Sequence, residues 1–150
     1  MTREGNAIKM LMPQPGLYQK LPDLGKVTAV VLAGGRGKRM GALCNTRPKP
    51  ALPFGGKNRV IDFSLRNCLD SGIENIVTLV DYQRTYMSEY IRQWSFENQF
   101  NETIHIREPE KGSYRGTADA VYQNLDTLNK TGAEAVMILA ADHVYRMDYR

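Results

Sequence analysis

A short apolar run that ends at a group of glycines constrains this chain more than any other stretch. Residues 27–32 are mostly apolar and β-branched, and the run stops at Gly34, Gly35 and Gly37. A short apolar run bounded by glycines is typical of a buried strand rather than of a helix. We therefore expect a strand that leads directly into a tight, glycine-rich turn.

The glycine turn lies in a strongly basic segment. From Leu24 to Ile61 the chain has eight basic residues and no acidic one, whereas the whole chain has 20 basic and 16 acidic residues. The remainder therefore has 12 basic against 16 acidic residues, so this segment supplies the entire positive excess. Glycines let backbone N–H groups approach a ligand closely, and Lys and Arg neutralise negative charge. The segment is expected to bind a polyanion.

Two common phosphate-binding motifs do not fit this turn. A P-loop has Ser or Thr after its Gly-Lys pair, but Gly37 and Lys38 are followed by Arg39. The dinucleotide fingerprint has glycine at its sixth position, which is Met40 when counted from Gly35. The turn must therefore hold its anion in another way.

Beyond the turn, the apolar spacing predicts alternating helices and strands. Helices are predicted over residues 60–69, 85–96 and 117–128, and strands over 73–80, 103–107 and 135–141. In the third helix, four residues are expected to face inward: Ala118, Val121, Leu125 and Leu128. The strand over 103–107 is expected at a sheet edge, and the Pro- and Gly-rich segment 44–58 is expected to be irregular.

This alternation predicts an α/β fold: a mostly parallel, Rossmann-like sheet with helices on both faces. Ligands of such sheets bind at the carboxyl ends of the strands. The glycine turn, the end of the 73–80 strand and Asp142 all fall at that edge, so we expect the site there.

Four motifs in order identify a family resemblance. They are AGGRGKRM at 33–40, RPKPALPFGG at 47–56, YRGTADAVYQN at 114–124 and ILAADHVYRMDY at 138–149. Together they resemble the sugar-phosphate nucleotidylyltransferases, and the stretch that begins RPKPALPFGG resembles the glucose-1-phosphate adenylyltransferase branch in particular. The resemblance implies transfer of AMP from ATP to α-D-glucose 1-phosphate, which gives ADP-glucose and pyrophosphate for glycogen or a related α-glucan.

This chemistry needs no covalent nucleophile, because the protein holds two anions in line and stabilises the spreading charge. Arg39 would grip the triphosphate with its forked guanidinium, and Lys49, between Pro48 and Pro50, would hold the sugar phosphate or the α-phosphate. Asp142 follows a strand and suits Mg²⁺. By resemblance Asp142 shares the metal with a second Asp from a later strand, which is outside this sequence.

The resemblance also implies the residues that surround the ligands. The nucleotide would be bound by Leu32, Ala33, Gly34, Gly35, Gly37, Gln83, Gly116 and Thr117. Tyr114 would contact the glucose 1-phosphate, and Thr117 could also cap the helix that it opens. Arg47 and Arg59 match basic positions that bind regulators in relatives, so allosteric control is implied while the effector is left open.

The domain organisation follows from the extent of the match. Residues 1–26 are expected to be an N-terminal extension, and residues 27–150 the N-terminal part of a catalytic domain. Family members continue into the rest of that domain and a β-helix that helps to build a tetramer, so we expect a homotetramer for the full-length protein. A piece of this length is expected to leave a sheet edge and apolar faces uncovered and to be unstable or self-associating alone.

Location and redox state are also predicted. No stretch is apolar enough for a membrane span or a signal peptide, so we expect a cytoplasmic protein with no membrane partner. Cys44 and Cys68 have no metal-ligand spacing and are expected to be structural thiols.

Two alternatives to the adenylyltransferase stay open, and nucleic-acid binding is a weaker competitor. The first is a nucleotidylyltransferase with another nucleotide or sugar specificity, since a few pocket contacts decide the base. The second is a non-catalytic regulatory relative, against which the presence of Arg39, Lys49 and Asp142 argues. The basic residues lie on turns with no aromatic RNA-binding motif, so no nucleic-acid partner is expected.

Overall fold

The structure is a computed structural model that describes residues 23–150. Most of the predicted extension over residues 1–26 therefore lies outside the described residues. Its last part, Asp23 to Lys26, forms a short 3₁₀ turn at Leu24–Lys26 that leads into the first strand. Asp23 caps this turn, because its side chain accepts a hydrogen bond from the backbone N–H of Gly25.

Four parallel strands form one sheet. The strands are β1 (Val27–Leu32), β2 (Asn75–Leu79), β3 (Ile104–Arg107) and β4 (Ala135–Ala140), in the spatial order β3-β2-β1-β4. The helices are α1 (Val60–Asp70), α2 (Arg84–Glu97), α3 (Thr117–Tyr122) and α4 (Leu125–Lys130). The predicted α/β class and the edge position of β3 are confirmed. All described strand pairs are parallel, so their carboxyl ends meet along one edge of the sheet.

The alternation of side chains along β1 explains why both faces of the sheet are covered. Successive residues of a strand point to opposite faces. Ala29 and Val31 are fully buried in the larger core, which includes residues of α1 and α2. Val30 is fully buried in a smaller core with Ala120 and Leu128 of α3 and α4. The run is almost entirely apolar because both of its faces are packed, and its one polar residue, Thr28, is buried and donates to the hydroxyl of Thr131 at 2.8 Å.

The single helix predicted over residues 117–128 is wrong, since the structure breaks it into α3 and α4. Asn124, between the two, is 5% exposed, and its amide donates to the backbone oxygen of Ala120 and to the hydroxyl of Tyr114. A buried Asn that bonds a nearby carbonyl competes with the helical hydrogen bonds, which favours an end to the helix.

The break also changes the face that packs inward. Ala120, Asn124 and Leu128 are buried, whereas Ala118 and Leu125 are exposed, contrary to the prediction. The prediction assumed one continuous helix through residues 123 and 124, and the break at these residues changes which side chains face the sheet.

The segment that follows the glycine turn is irregular, as predicted. It contains 3₁₀ turns at Lys38–Cys44 and Lys49–Ala51 and an isolated bridge between Pro53 and Arg59. Cys44 and Cys68 are buried free thiols. Burial raises the pKa of Cys68 to about 12, so this residue stays protonated and unreactive.

Strand β4 leaves apolar side chains exposed at the second edge of the sheet. Val136 is 43% exposed and Ile138 is 54% exposed, on the face that α3 and α4 cover elsewhere. Instability or self-association of this part of the protein by itself stays a prediction. No helix in the described part of the chain is long and apolar enough to cross a membrane.

Candidate functional site

A cavity of about 350 Å³ lies at the carboxyl ends of the strands. It contains seven of the residues predicted to contact substrates or metal: Leu32, Gly34, Gly35, Tyr114, Gly116, Thr117 and Asp142. Leu79, Asp81, Ala120 and Ala140 complete its lining. The ends of β1, β2 and β4 and the start of α3 therefore meet where the topology predicts a ligand site.

Two glycines of the turn bring backbone against the side chains of the site. A Cβ atom at Gly34 would lie 3.0 Å from the Cβ of Asp81. Gly37 has φ +66°, and a Cβ there would lie 2.6 Å from Sγ of Cys44 and 3.1 Å from the Cβ of Lys49. Only glycine combines this backbone angle with such close approach. Gly37 thus sets the place of Lys49 rather than lining the cavity itself.

Lys49 and Asp142, predicted for catalysis from distant parts of the sequence, form an ion pair. The Nζ atom of Lys49 donates to Oδ2 of Asp142 at 2.7 Å, and each side chain is about one-third exposed. This hydrogen bond holds the pKa of Asp142 below its ordinary value, although partial burial opposes the effect. Asp142 is therefore ionised at neutral pH. Its carboxylate lines the cavity, whereas Lys49 pairs with it from outside the cavity lining.

The carboxylate of Asp142 is of the chemical type that binds a metal together with phosphates and water. Among residues 23–150 there is no group of three or more His, Cys, Asp or Glu placed to hold a metal ion by themselves. Mg²⁺ is commonly bound by one or two carboxylates together with substrate phosphates and water. Asp142 supplies one such carboxylate at the cavity, and His143 lies beside it, with Nε2 3.6 Å from Oδ1.

The loop before α3 presents Tyr114 and Gly116 to the cavity. The hydroxyl of Tyr114 accepts a hydrogen bond from Asn124 at 3.1 Å, and burial is the main cause that raises the pKa of Tyr114. Thr117 lines the cavity but does not cap α3, contrary to the prediction. The N-cap residue is Gly116, which has no side chain to cap the helix, and the carboxylate of Asp119 accepts from the backbone N–H of Arg115 at 2.9 Å.

Three other predicted site residues do not line the cavity. Arg39 is exposed on the Lys38–Cys44 turn, and the side chain of Ala33 is fully buried in the larger core. Gln83 has φ +47° and lies in an adjacent groove, next to Tyr82, whose ring is 5.5 Å from the guanidinium of Arg36.

The two residues predicted to bind a regulator are in different settings. Arg59 lines a groove of about 620 Å³ that also contains residues of α1 and α2. Its guanidinium lies 3.9 Å from the ring centre of Tyr90 and donates to the hydroxyl of Tyr86. Arg47 is exposed and does not line this groove.

Asp81 is a residue of the cavity that the sequence analysis missed. Its side chain is 16% exposed, it lies 3.7 Å from the guanidinium of Arg84, and it lines both the cavity and the adjacent groove. The rule that selected Asp142, an acidic residue just after a strand, also selects Asp81. Asp81 is not part of any of the four motifs, so the sequence analysis did not include it.

Comparisons with known proteins agree with this geometry. The model of the nucleotidyl transferase family matches residues 28–150. A glucose-1-phosphate adenylyltransferase of Francisella tularensis subsp. novicida is 50% identical over 131 residues, which cover 83% of this chain and 31% of that protein. The one from Yersinia pseudotuberculosis serotype O:1b is 47% identical over 140 residues, which cover 89% of this chain and 32% of that protein.

The sequence thus spans about a third of the length of these curated relatives. The family match covers most of the chain and includes every residue of the cavity. The chain belongs to the nucleotidyl transferase family.

Proposed function

We propose that the protein transfers AMP from ATP to α-D-glucose 1-phosphate, giving ADP-glucose and pyrophosphate. The observation that carries this proposal is the pairing of Lys49 and Asp142 at 2.7 Å, beside a cavity formed by the glycine turn and the start of α3. A cation for phosphate and a carboxylate for a metal are the two groups that phosphoryl transfer between anions requires. The names of the two relatives supply the substrates.

In the proposed reaction, a phosphate oxygen of glucose 1-phosphate attacks the α-phosphorus of ATP. The bond from this phosphorus to the oxygen that bridges to the β-phosphate breaks, and pyrophosphate leaves. Lys49 binds the sugar phosphate or the α-phosphate and neutralises charge that builds up in the transition state. Asp142 would hold Mg²⁺, which supplies positive charge to the phosphate oxygens when bound.

The remaining substrate contacts are assigned to the cavity and its surroundings. The nucleotide would lie against Leu32 and the backbone of Ala33, Gly34, Gly35, Gly116 and Thr117. Gly37 would keep the turn in its conformation, and Gln83 would bound the adjacent groove. Tyr114 would contact the glucose 1-phosphate. Arg39 would reach the triphosphate from its exposed turn, because a long cationic side chain on such a turn is free to follow a ligand.

Regulation and assembly are extensions of the same proposal. Arg47 and Arg59 are proposed to bind an anionic regulator, and the full-length protein is proposed to be a homotetramer. For Arg59 a regulator would have to compete with the faces of Tyr86 and Tyr90 for the guanidinium. A cytoplasmic location stays a prediction.

The test is pyrophosphate release from glucose 1-phosphate and Mg²⁺ with each of four nucleoside triphosphates, on the full-length protein. Asp142→Asn removes the charge with little change in shape, and Asp148→Asn is the matched control on the same segment, where Asp148 pairs with Arg150. We expect release with ATP, lost in Asp142→Asn and kept in Asp148→Asn. Preference for another triphosphate would instead assign a sister specificity. A folded protein that binds ATP without turnover would be a regulatory relative.

A further inference from the structure

Helix α1 and the residue that caps its C-terminus, Ser71, carry a row of three buried polar side chains, which we call the polar stripe. Ser64, Asn67 and Ser71 are 2%, 4% and 3% exposed, respectively. Residues three or four positions apart lie on one face of a helix, so these three form a continuous row. Buried polar groups of this kind need hydrogen-bond partners, and the partners show what the stripe does.

Each residue of the stripe bonds to the segment that ends β4 and continues beyond it, and Ser71 also bonds to a carbonyl within α1. Ser64 donates to the backbone oxygen of Ala140 at 3.0 Å. Asn67 bonds two backbone groups: its Nδ2 donates to the oxygen of Tyr145 at 3.0 Å, and its Oδ1 accepts from the N–H of Met147 at 3.1 Å. The stripe therefore fixes the segment on both sides of Asp142.

The third residue of the stripe acts farther away. Ser71 accepts from the backbone N–H of Tyr149 at 2.9 Å and donates to the backbone oxygen of Asn67 at 2.7 Å. Tyr149 is seven residues beyond Asp142. Ser71 thus also bonds the backbone of this segment, as an acceptor where Ser64 is a donor, but its bond lies farther from Asp142 than those of Ser64 and Asn67.

The same helix is also tied to the turn that carries Lys49. The backbone N–H of Val60, the first residue of α1, donates to the oxygen of Leu52 at 3.1 Å, and the N–H of Leu52 donates to the oxygen of Lys49 at 3.1 Å. Lys49 is therefore linked to the start of α1, whereas Asp142 is held along its side. One rigid helix serves as the common frame of both charged groups.

We propose that Ser64 and Asn67 are positioning residues, which hold the carboxylate of Asp142 at the place where it pairs with Lys49 and takes up a divalent cation. The proposal rests on the proposed function for the identity of the cation. Side chains that hold a ligand-bearing residue in place act as outer supports of a metal site, and loss of such supports typically lowers metal affinity about 10–100-fold.

The test compares four alanine variants of the full-length protein. Ser64→Ala and Asn67→Ala remove the two anchors beside Asp142. Ser71→Ala removes the remote anchor of the same stripe, and Ser95→Ala removes a buried hydroxyl whose bond is to the backbone oxygen of Arg92 within α2. Mn²⁺ binding is measured by electron paramagnetic resonance with the unreactive analogue α,β-methylene-ATP, and the Mg²⁺ dependence of pyrophosphate release is measured with ATP.

We expect Ser64→Ala and Asn67→Ala to weaken Mn²⁺ binding and to raise the Mg²⁺ concentration for half-maximal rate about tenfold or more. Ser71→Ala and Ser95→Ala should keep the metal dependence of the wild type, even where thermal unfolding shows that they lower stability as much as Ser64→Ala does. Equal metal affinity in all four variants, or losses that follow the unfolding temperature, would overturn the proposal. A wild type that binds Mn²⁺ without turnover would refute the proposed function, and the Mn²⁺ comparison would still decide the positioning role.

Discussion

The Nζ atom of Lys49 lies 2.7 Å from Oδ2 of Asp142, although 93 residues separate them along the chain. Each group is the other's counter-ion. Under the proposed function, a substrate phosphate at Lys49 would compete with the carboxylate, and a metal ion at Asp142 would compete with the ammonium. Binding of both ligands together would replace one ion pair by two, which would favour their joint entry over the entry of either alone.

Removal of the Lys49 charge should raise the pKa of Asp142. The hydrogen bond from Lys49 is the main cause that lowers this pKa, while partial burial acts in the opposite direction. In Lys49→Met the burial effect remains without its compensation, so the pKa should rise from its lowered value. Carbon-13 NMR titration of the carboxylate checks this, and an unchanged midpoint would show that the pair is not formed in solution.

The same pair sets the sign of a small pH effect on stability. Because the folded-state pKa of Asp142 is below the unfolded value of 3.8, the pair stabilises the fold above that value. The stabilisation is lost as the pH falls through the lower, folded-state pKa. In Lys49→Met this acid-dependent loss of stability should disappear. Below both the folded-state and the unfolded-state pKa of Asp142, the free energies of unfolding of the variant and the wild type should be close.

Substitution of Gly37 should be costly for two separable reasons. Gly37→Ala places a Cβ 2.6 Å from Sγ of Cys44 at a backbone angle of φ +66°, whereas Gly132 has φ +68° with no atom within 4 Å of the added Cβ. Gly132→Ala should therefore cost only the backbone strain, about 1 kcal/mol, and Gly37→Ala should cost about 1–3 kcal/mol more through overpacking. Urea unfolding of both variants measures the difference.

Cys44→Ala provides the check on this explanation. The double variant Gly37→Ala, Cys44→Ala removes the atom that the new Cβ meets, so it should recover part of the loss beyond the sum of the single effects. Strict additivity of the two substitutions would show that contact with Cys44 is not the cause.

The sequence predicted those parts of the fold that depend on nearby residues better than those that depend on side-chain contacts between elements. Strand β1 and helix α1 were predicted closely because a buried strand and an amphipathic helix depend on local periodicity alone. The break between α3 and α4 was not, because it depends on the hydrogen bonds of Asn124 to Ala120 and Tyr114. An isolated Asn in an apolar pattern does not disclose whether its side chain will find such partners.

The prediction of the site likewise succeeded where a general rule applied and failed where long-range contacts decide the geometry. The rule that ligands collect at the carboxyl ends of parallel strands placed Asp142 and the glycine turn together. No local rule could show that Lys49 reaches Asp142, because this contact depends on how the turn of Lys49 folds back towards the sheet. The rule for acidic residues at strand ends does select Asp81, but no motif supported that choice. Arg39 was selected by motif, and its exposed position shows that a motif identifies a residue type without giving the direction of its side chain.

Tyr90 should be essential to the buried carboxylate of Asp62. Asp62 is 6% exposed, and the Tyr90 hydroxyl lies 2.7 and 2.8 Å from its two oxygens. Tyr90→Phe should lower the free energy of unfolding by about 1–3 kcal/mol, because the buried carboxylate loses one of its donors and keeps the backbone N–H of Arg59 at 2.9 Å. Tyr122→Phe, at a side chain that is 71% exposed, is the control and should have little effect.

The pH dependence of Tyr90→Phe has a defined sign. Burial raises the pKa of Asp62 above its ordinary value of 3.8, and the hydrogen bonds from the Arg59 backbone and from Tyr90 oppose this rise. A raised folded-state pKa means that the fold binds the proton more tightly than the unfolded chain does. The contribution of Asp62 to stability therefore increases as the pH falls through the folded-state pKa. Tyr90→Phe should raise this pKa further and move that increase to higher pH, whereas a shift to lower pH would contradict the assignment.

Arg39 should separate function from stability. Its side chain is exposed on the Lys38–Cys44 turn and lies outside the cavity lining, so Arg39→Ala should change the free energy of unfolding by less than about 0.5 kcal/mol. If the guanidinium holds the triphosphate, kcat/KM for ATP should fall about 10²–10³-fold, as for other groups that stabilise transition-state charge. Arg39→Lys should recover only part of the rate, because an ammonium cannot grip two oxygens in the fixed geometry of a guanidinium.

Lys38→Ala, which removes the neighbouring cation of the same turn, is the matched control. If both alanine variants lower kcat/KM equally, the turn acts only through its overall charge, and the specific role of Arg39 is refuted.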